Sequence, residues 1–213
     1  MITARKTNFG APLHDFQYLE YLPADYGTGK RFPLVIFLHG AGERGDNVEL
    51  TAVHGYLKHA RKGTEYPFVV IAPQCPNDTY WGAYIESLNA LLDYALAHYD
   101  VDPDRVILTG LSMGGTGTWL WSLANPQRFA AIVPVCGTGV TWFGGQLANT
   151  PVWACHGEAD DCVDVTESIR MVQSIRRSGG KPRLSLYPGV GHNAWDNAYS
   201  DPEILEWILA QHR

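Results

Sequence analysis

The sequence predicts an α/β protein built on a mostly parallel, doubly wound sheet with helices on both faces. Three observations carry this expectation. Short apolar runs of strand length alternate along the chain with stretches of helical period. Those runs are apolar nearly throughout, as strands covered on both faces are, rather than at every second residue. One of them, Val106–Leu108, leads through Gly110-Leu111-Ser112-Met113-Gly114 into a helical stretch, the pattern of a tight strand-to-helix turn. Such alternation closes into a sheet through right-handed crossovers.

Taken in order, Phe16–Leu22 alternates like a half-buried strand and stops at Pro23. Pro33–Leu38, Phe68–Ile71, Val106–Leu108, Ala130–Val135, Val152–Cys155 and Leu184–Tyr187 read as the apolar strands. Helical stretches fall at about Leu50–Ala60, Ile85–Tyr99, Met113–Ala124, Val165–Arg177 and Glu203–Gln211. Asp164 followed by Glu167 has the spacing of a capping box, and Asp201-Pro202 sets an N-cap before a proline at the first helical position. There is no internal repeat, low-complexity tract or linker, so one domain is expected over residues 1–213.

Composition narrows the function classes. Hydrophobic residues make up 46% and charged residues 18% of 213, which suits a packed globular chain and not a disordered one. The formal net charge of −6, with Arg176-Arg177 the densest basic pair, speaks against nucleic acid and anionic lipid as partners. The longest apolar run, Leu34–Leu38, is far below the roughly 20 residues of a bilayer span. Met1–Gly10 carries Arg5 and Lys6 without an apolar stretch behind them, unlike a secretory leader. Cys75, Cys136, Cys155 and Cys162 show no C-x-x-C spacing, and Cys136 and Cys155 fall in apolar runs where a free buried thiol is the simpler reading. A reducing, cytoplasmic compartment is the expectation.

Ser112 is the candidate nucleophile. A serine on a tight turn between strand and helix is held in strained geometry that projects its hydroxyl from the sheet, and the chain passes too close for side chains two residues away, hence Gly110 and Gly114. The helix that follows aims its first N–H groups at the place where negative charge develops in acyl transfer. No G-K-[ST] phosphate loop and no G-x-G-x-x-G with a following acid is present, which removes the nucleotide-binding alternative.

The loop His39-Gly40-Ala41-Gly42 leaves an early strand and offers backbone N–H groups to an oxyanion. Ala41 is the expected first donor, with Gly42 as the alternative and a pocket residue, and Met113 is the second donor. His39 is expected to brace the loop rather than react. For the base, five histidines precede Ser112, His212 ends the chain's last helix, and His156 belongs to the strand end before the acid. His192 remains, in a glycine-bracketed loop after the last strand, as the general base. For the acid, Asp164 is assigned to the helix cap and Glu158 lies too near the strand. Between neighbours, the pattern His156-Gly157-x-x-Asp160-x-x-Val163 favours Asp160 over Asp161. Trp81, Trp142 and Trp195 lie in loops at the same end and are candidate pocket walls. Only about 14 residues, from Gly137 to Thr150, separate two late strands, which is too short for a sizeable cap.

HGAGERGDN, APQCP, VDPDRVILTGLSMGGTGTW, HGEADDCV and GHNAWDNAYSDPEILEWIL together resemble the esterase branch, some members labelled predicted peptidases, of the phospholipase–carboxylesterase group. That group is close to dienelactone hydrolases and to feruloyl and acetylxylan esterases. The resemblance runs over about residues 16 to 213. It implies the α/β-hydrolase fold, the triad Ser112, Asp160 and His192, and hydrolysis of a small-molecule carboxylic ester with neither cofactor nor metal. Asp164 stands where many relatives have proline, which leaves the acid position intact. Thioester or peptide cleavage, acyl transfer to an alcohol, and a catalytically dead binding module are the alternatives on the same fold, and a homo-oligomer is left open.

Overall fold

The computed structural model describes residues Met1–Arg213. Eight strands form one sheet: β1 (Ile2–Lys6), β2 (Gln17–Tyr21), β3 (Phe32–Leu38), β4 (Val69–Pro73), β5 (Val101–Leu111), β6 (Ala131–Val135), β7 (Trp153–Gly157) and β8 (Arg183–Tyr187), in the order β1-β2-β4-β3-β5-β6-β7-β8. β1 and β2 run antiparallel at one edge, and β3 to β8 pair in parallel. Six helices join them: α1 (Gly55–Arg61), α2 (Ile85–His98), α3 (Met113–Ala124), α4 (Thr166–Arg177), α5 (Trp195–Ala198) and α6 (Pro202–Leu209).

The all-apolar strands are explained by two cores, one on each face. Leu34, Ile36 and Leu38 of β3 pack into a cluster with Leu88, Leu91 and Leu92 of α2, Trp119 and Trp121 of α3, and Met171 and Ile175 of α4. Val35 and Phe37, pointing the other way, join Tyr56 and Leu57 of α1, Ala198 of α5, and Ile204 and Ile208 of α6. Alternate residues of one strand therefore serve opposite faces, and a polar residue on either face would sit unpaired in a core. The helices α2, α3 and α4 cover one side and α1, α5 and α6 the other.

The boundaries differ from the sequence reading in several places. β1 was not foreseen, because it is an edge strand whose Ala4, Arg5 and Lys6 are exposed and give no apolar pattern. The stretch expected as one helix over Leu50–Ala60 is a 3-10 turn, Val48–Ala52, followed by α1, because the chain turns extended at His54 (φ −134°, ψ 174°). Asp164 accepts the Thr166 amide at 2.8 Å but stands one residue outside the N-cap position of α4, so it closes a turn before the helix instead of capping it. Asp201 does cap α6 as expected, accepting Glu203 N at 2.8 Å.

Candidate active site

β5 ends at Leu111 and α3 begins at Met113, so Ser112 is the whole of the turn between them. Its φ of 54° and ψ of −118° lie where an L-residue is strained by about 1–3 kcal/mol. The strain is held by bonds at both sides: Ser112 N donates to Val135 O and Thr116 N donates to Ser112 O, each at 2.9 Å. Crowding explains the two glycines. A Cβ on Gly114 would lie 1.9 Å from Leu38 O, and one on Gly110 would lie 2.4 Å from Gly114 O.

Two further loops converge on the serine. The loop after β7 carries Asp160 and the loop after β8 carries His192, and they are bonded to each other through Glu158 N to Tyr187 O and Ala159 N to Val190 O. His192 Nε2 lies 2.9 Å from Ser112 Oγ, and His192 Nδ1 lies 2.8 Å from Asp160 Oδ2. A carboxylate only accepts, so Nδ1 carries the hydrogen and Nε2 faces the serine hydroxyl as acceptor. Burial alone would raise the Asp160 carboxyl. The His192 bond and the Val163 and Cys162 amides, both 2.9 Å from Oδ1, outweigh it and hold the group below the usual carboxylate range. Asp161, next in the chain, is exposed.

The His39–Gly42 loop is braced from behind. Burial pushes His39 down to about 4, so its ring is neutral at neutral pH. Nδ1 donates to Gly40 O at 2.6 Å and Nε2 accepts Cys75 N at 2.9 Å. Arg44 donates to Ala41 O and Thr79 O at 2.9 and 3.0 Å. Ala41 is the first residue of a 3-10 turn, Ala41–Glu43, and Met113 the first of α3, positions whose N–H groups have no intrahelical acceptor. Ala41 and Gly42 are exposed; Ser112 and Met113 are half-buried.

Of the aromatics expected to wall a pocket, Trp195 alone packs on the site. Its ring meets His192 edge-on at 5.2 Å. Trp81 does not line a pocket: it is 0% exposed and its Nε1 donates to His39 O at 2.9 Å, so it supports the loop from the core. Trp142 is 92% exposed and projects into solvent. The short segment carrying it has polar neighbours, and its apolar content alone does not tell inward from outward.

Sequence reasoning missed a polar strip beside His192. His54 lies 5.3 Å from the Trp195 ring, and its Nε2 is 3.8 Å from Glu43 Oε1. Glu43 Oε2, His54 Nδ1 and Trp195 Nε1 are buried without a hydrogen-bond partner. Cys136 is the free, buried thiol expected from its apolar run; its place beside the site, with a φ of 48°, was not foreseen. Ligand atoms of Cys136, Asp160 and His192 lie within 4.8 Å of one another. Burial raises the Cys136 thiol to about 12, so it stays protonated, and the other two are already bonded to each other; the trio is arranged for hydrogen bonding more than for a metal.

A family model described as Phospholipase/Carboxylesterase matches residues 66–201. The chain is 26% identical over 207 residues to "Feruloyl esterase B" of Neurospora crassa, covering 88% of this chain and 67% of that protein. It is 24% identical over 200 residues to "Probable acetylxylan esterase A" of Neosartorya fischeri, covering 86% and 52%. The chain thus spans about half to two thirds of the length of these relatives. A crystal structure described as a thermostable esterase superposes with a TM-score of 0.89 at 29% identity, covering all of this chain and 63% of the other.

Proposed function

This chain belongs to the phospholipase/carboxylesterase family and has the α/β-hydrolase fold, and we propose that it is a serine carboxylesterase acting through Ser112, His192 and Asp160. The observation that carries the reading is the unbroken run of hydrogen bonds from Ser112 Oγ through His192 to Asp160 Oδ2, at 2.9 and 2.8 Å. As Ser112 Oγ attacks the ester carbonyl, its proton passes to His192 Nε2. Asp160 keeps the other ring hydrogen on Nδ1 and stabilises the imidazolium that forms. The tetrahedral oxyanion is held by the Ala41 and Met113 amides. Collapse breaks the bond to the alcohol, which leaves with the proton from Nε2, and water then hydrolyses the acyl-enzyme by the same steps. No cofactor enters this chemistry.

The proposed substrates are esters of short or aromatic acyl groups. An exposed Ala41–Gly42 rim and a half-buried serine favour a shallow site over a deep acyl channel. The names of the two fungal relatives point the same way. The test is labelling by a fluorophosphonate together with turnover of aryl esters. Ser112→Ala should abolish labelling and lower turnover by roughly 10⁴- to 10⁶-fold in a protein that still folds. Turnover at the wild-type rate in folded Ser112→Ala would overturn the reading.

A further inference from the structure

Asp160 has a partner that the triad does not use. Its Oδ2, which accepts His192 Nδ1–H, also lies 3.2 Å from Nε2 of a second imidazole, His156. His156 is 0% exposed and is the penultimate residue of strand β7. Its Nε2 is also 2.9 Å from Val163 O. Carbonyl and carboxylate oxygens only accept, so Nε2 carries the hydrogen; it is directed at Val163 O, and Asp160 Oδ2 lies beside that bond as a close charge–dipole contact. On the far side, Nδ1 lies 2.7 Å from the hydroxyl of Ser168, itself 0% exposed, on α4. In the neutral ring that hydroxyl donates to Nδ1. The run Ser112–His192–Asp160–His156–Ser168 is therefore hydroxyl, imidazole, carboxylate, imidazole, hydroxyl, two arms of the same chemistry meeting on one oxygen.

We propose that His156, its tautomer fixed by Ser168, is a positioning residue that sets the direction and charge of the Asp160 carboxylate presented to His192. The inference rests on the triad reading above. The simpler alternative is a core histidine whose hydrogen bonds serve only the fold. Geometry favours the positioning role, because the buried His156 N–H dipole lies 3.2 Å from the same oxygen that accepts from His192. With both Oδ1 acceptor sites taken by amides, the carboxylate cannot rotate without breaking a hydrogen bond. The positive end of that N–H dipole also stabilises charge on the oxygen that faces the imidazolium. Two other titratable groups bear on this point: Cys136 just after β6, a neutral thiol, and the exposed Asp164 carboxylate; Asp161 of the same loop faces solvent.

The test is the pH profile of kcat/KM, whose acid limb reports protonation of the general base in the free enzyme. His156→Phe fills the space and donates nothing. It should lower kcat by about 10-fold and move the acid limb up by about 0.5 to 1 pH unit, since Asp160 without that N–H dipole beside it stabilises the imidazolium more. His156→Gln, which retains an N–H donor, should return the limb to the wild-type position. A folded His156→Phe protein with an unmoved limb overturns the proposal whatever its kcat, as does a Gln variant shifted as far as Phe. Should His156→Phe fail to fold, Ser168→Ala decides: it frees Nδ1 and should move the limb in the same direction by a smaller amount, and an unmoved limb refutes the role. Failure of the triad itself has a separate signature, wild-type protein that takes no fluorophosphonate label, and it would remove this inference with it.

Discussion

Two adjacent aspartates at 160 and 161 have the same chemistry and opposite surroundings. Asp160 has a side chain with no exposed surface and three hydrogen-bond donors around it; Asp161 faces solvent. Asp160→Asn should therefore lower kcat by roughly 10⁴-fold through loss of the ring tautomer, and Asp161→Asn should leave it within about twofold. Steady-state kinetics on the purified pair checks this, and exchanged behaviour would mean the wrong acid has been assigned. His39 offers a stability readout. Burial lowers it to about 4 in the folded protein against 6.5 unfolded, so below 6.5 the unfolded chain takes up the proton first. Its contribution is complete above pH 6.5 and is lost as pH falls towards 4, on the order of 3 kcal/mol in all. His14 and His59, also shifted down by burial, act with the same sign. Urea unfolding at pH 7 and pH 4.5 should show a smaller difference for His39→Gln than for the wild-type protein. Residue types at the reacting end were legible because Ser, Asp and His there are announced by glycines and by strand ends. His156 was legible only as part of a pattern, since its role depends on which way a buried ring points, and neither spacing nor composition encodes that.

At the scale of elements, the turn at Ser112 depends on how closely three segments pass one another. Gly114 faces the end of β3 so tightly that Gly114→Ala would bring a methyl carbon to 1.9 Å from Leu38 O. Backbone cannot yield as a flexible side chain does, so β3 or α3 must shift and the serine with it. The expected result is a loss of at least about 3 kcal/mol in unfolding free energy, or no soluble protein, with turnover down by more than about 100-fold in what remains. Circular dichroism melts with ester turnover measure both; a stable, active alanine variant would contradict the crowding argument. The buried strands and the long helices were readable because both faces of the sheet are covered and each helix has one apolar side. What escaped was whatever lacks a buried face or depends on a single torsion. β1 lies at an edge with exposed side chains, and the break at His54 is one extended residue inside a stretch of good helical period. β5 begins at Val101, five residues before the apolar run, since Val101 pairs with Phe32 across a register shift that no hydrophobic pattern marks.

For the whole molecule, the question is what covers the reacting end of the sheet. In lid-bearing lipases an inserted segment closes an apolar acyl site and opens at an interface. Here the chain between β6 and β7 forms one 3-10 segment, Thr141–Leu147, that is fastened to α4: Ser174 Oγ donates to Thr141 O at 2.6 Å, and Gly144 fits against the same serine. Trp142 and Phe143 project from it at 92% and 54% exposure, so the segment points its largest apolar groups at solvent and not over Ser112. No helix is long and apolar enough to cross a membrane. A site of this form gains about 0.8 kcal/mol for each methylene it can bury, but only while the acyl chain still touches protein. Beyond a few carbons the added methylenes stay in water and contribute nothing. Accordingly kcat/KM on 4-nitrophenyl esters should rise or hold over acyl lengths of about C2 to C6 and then fall, with aromatic acyl esters tolerated because a flat ring can lie on the half-buried Trp195. Trp195→Ala should weaken the aromatic esters by about 10-fold and Trp142→Ala should change nothing beyond about twofold. Turnover should cross the critical micelle concentration of a long-chain ester without a jump, since there is no closed segment to open. A steep rise there, with a preference for C10 or longer, would mean that the Thr141–Leu147 segment detaches from α4 and moves over the serine, and the proposal of an uncovered short-acyl site would be wrong.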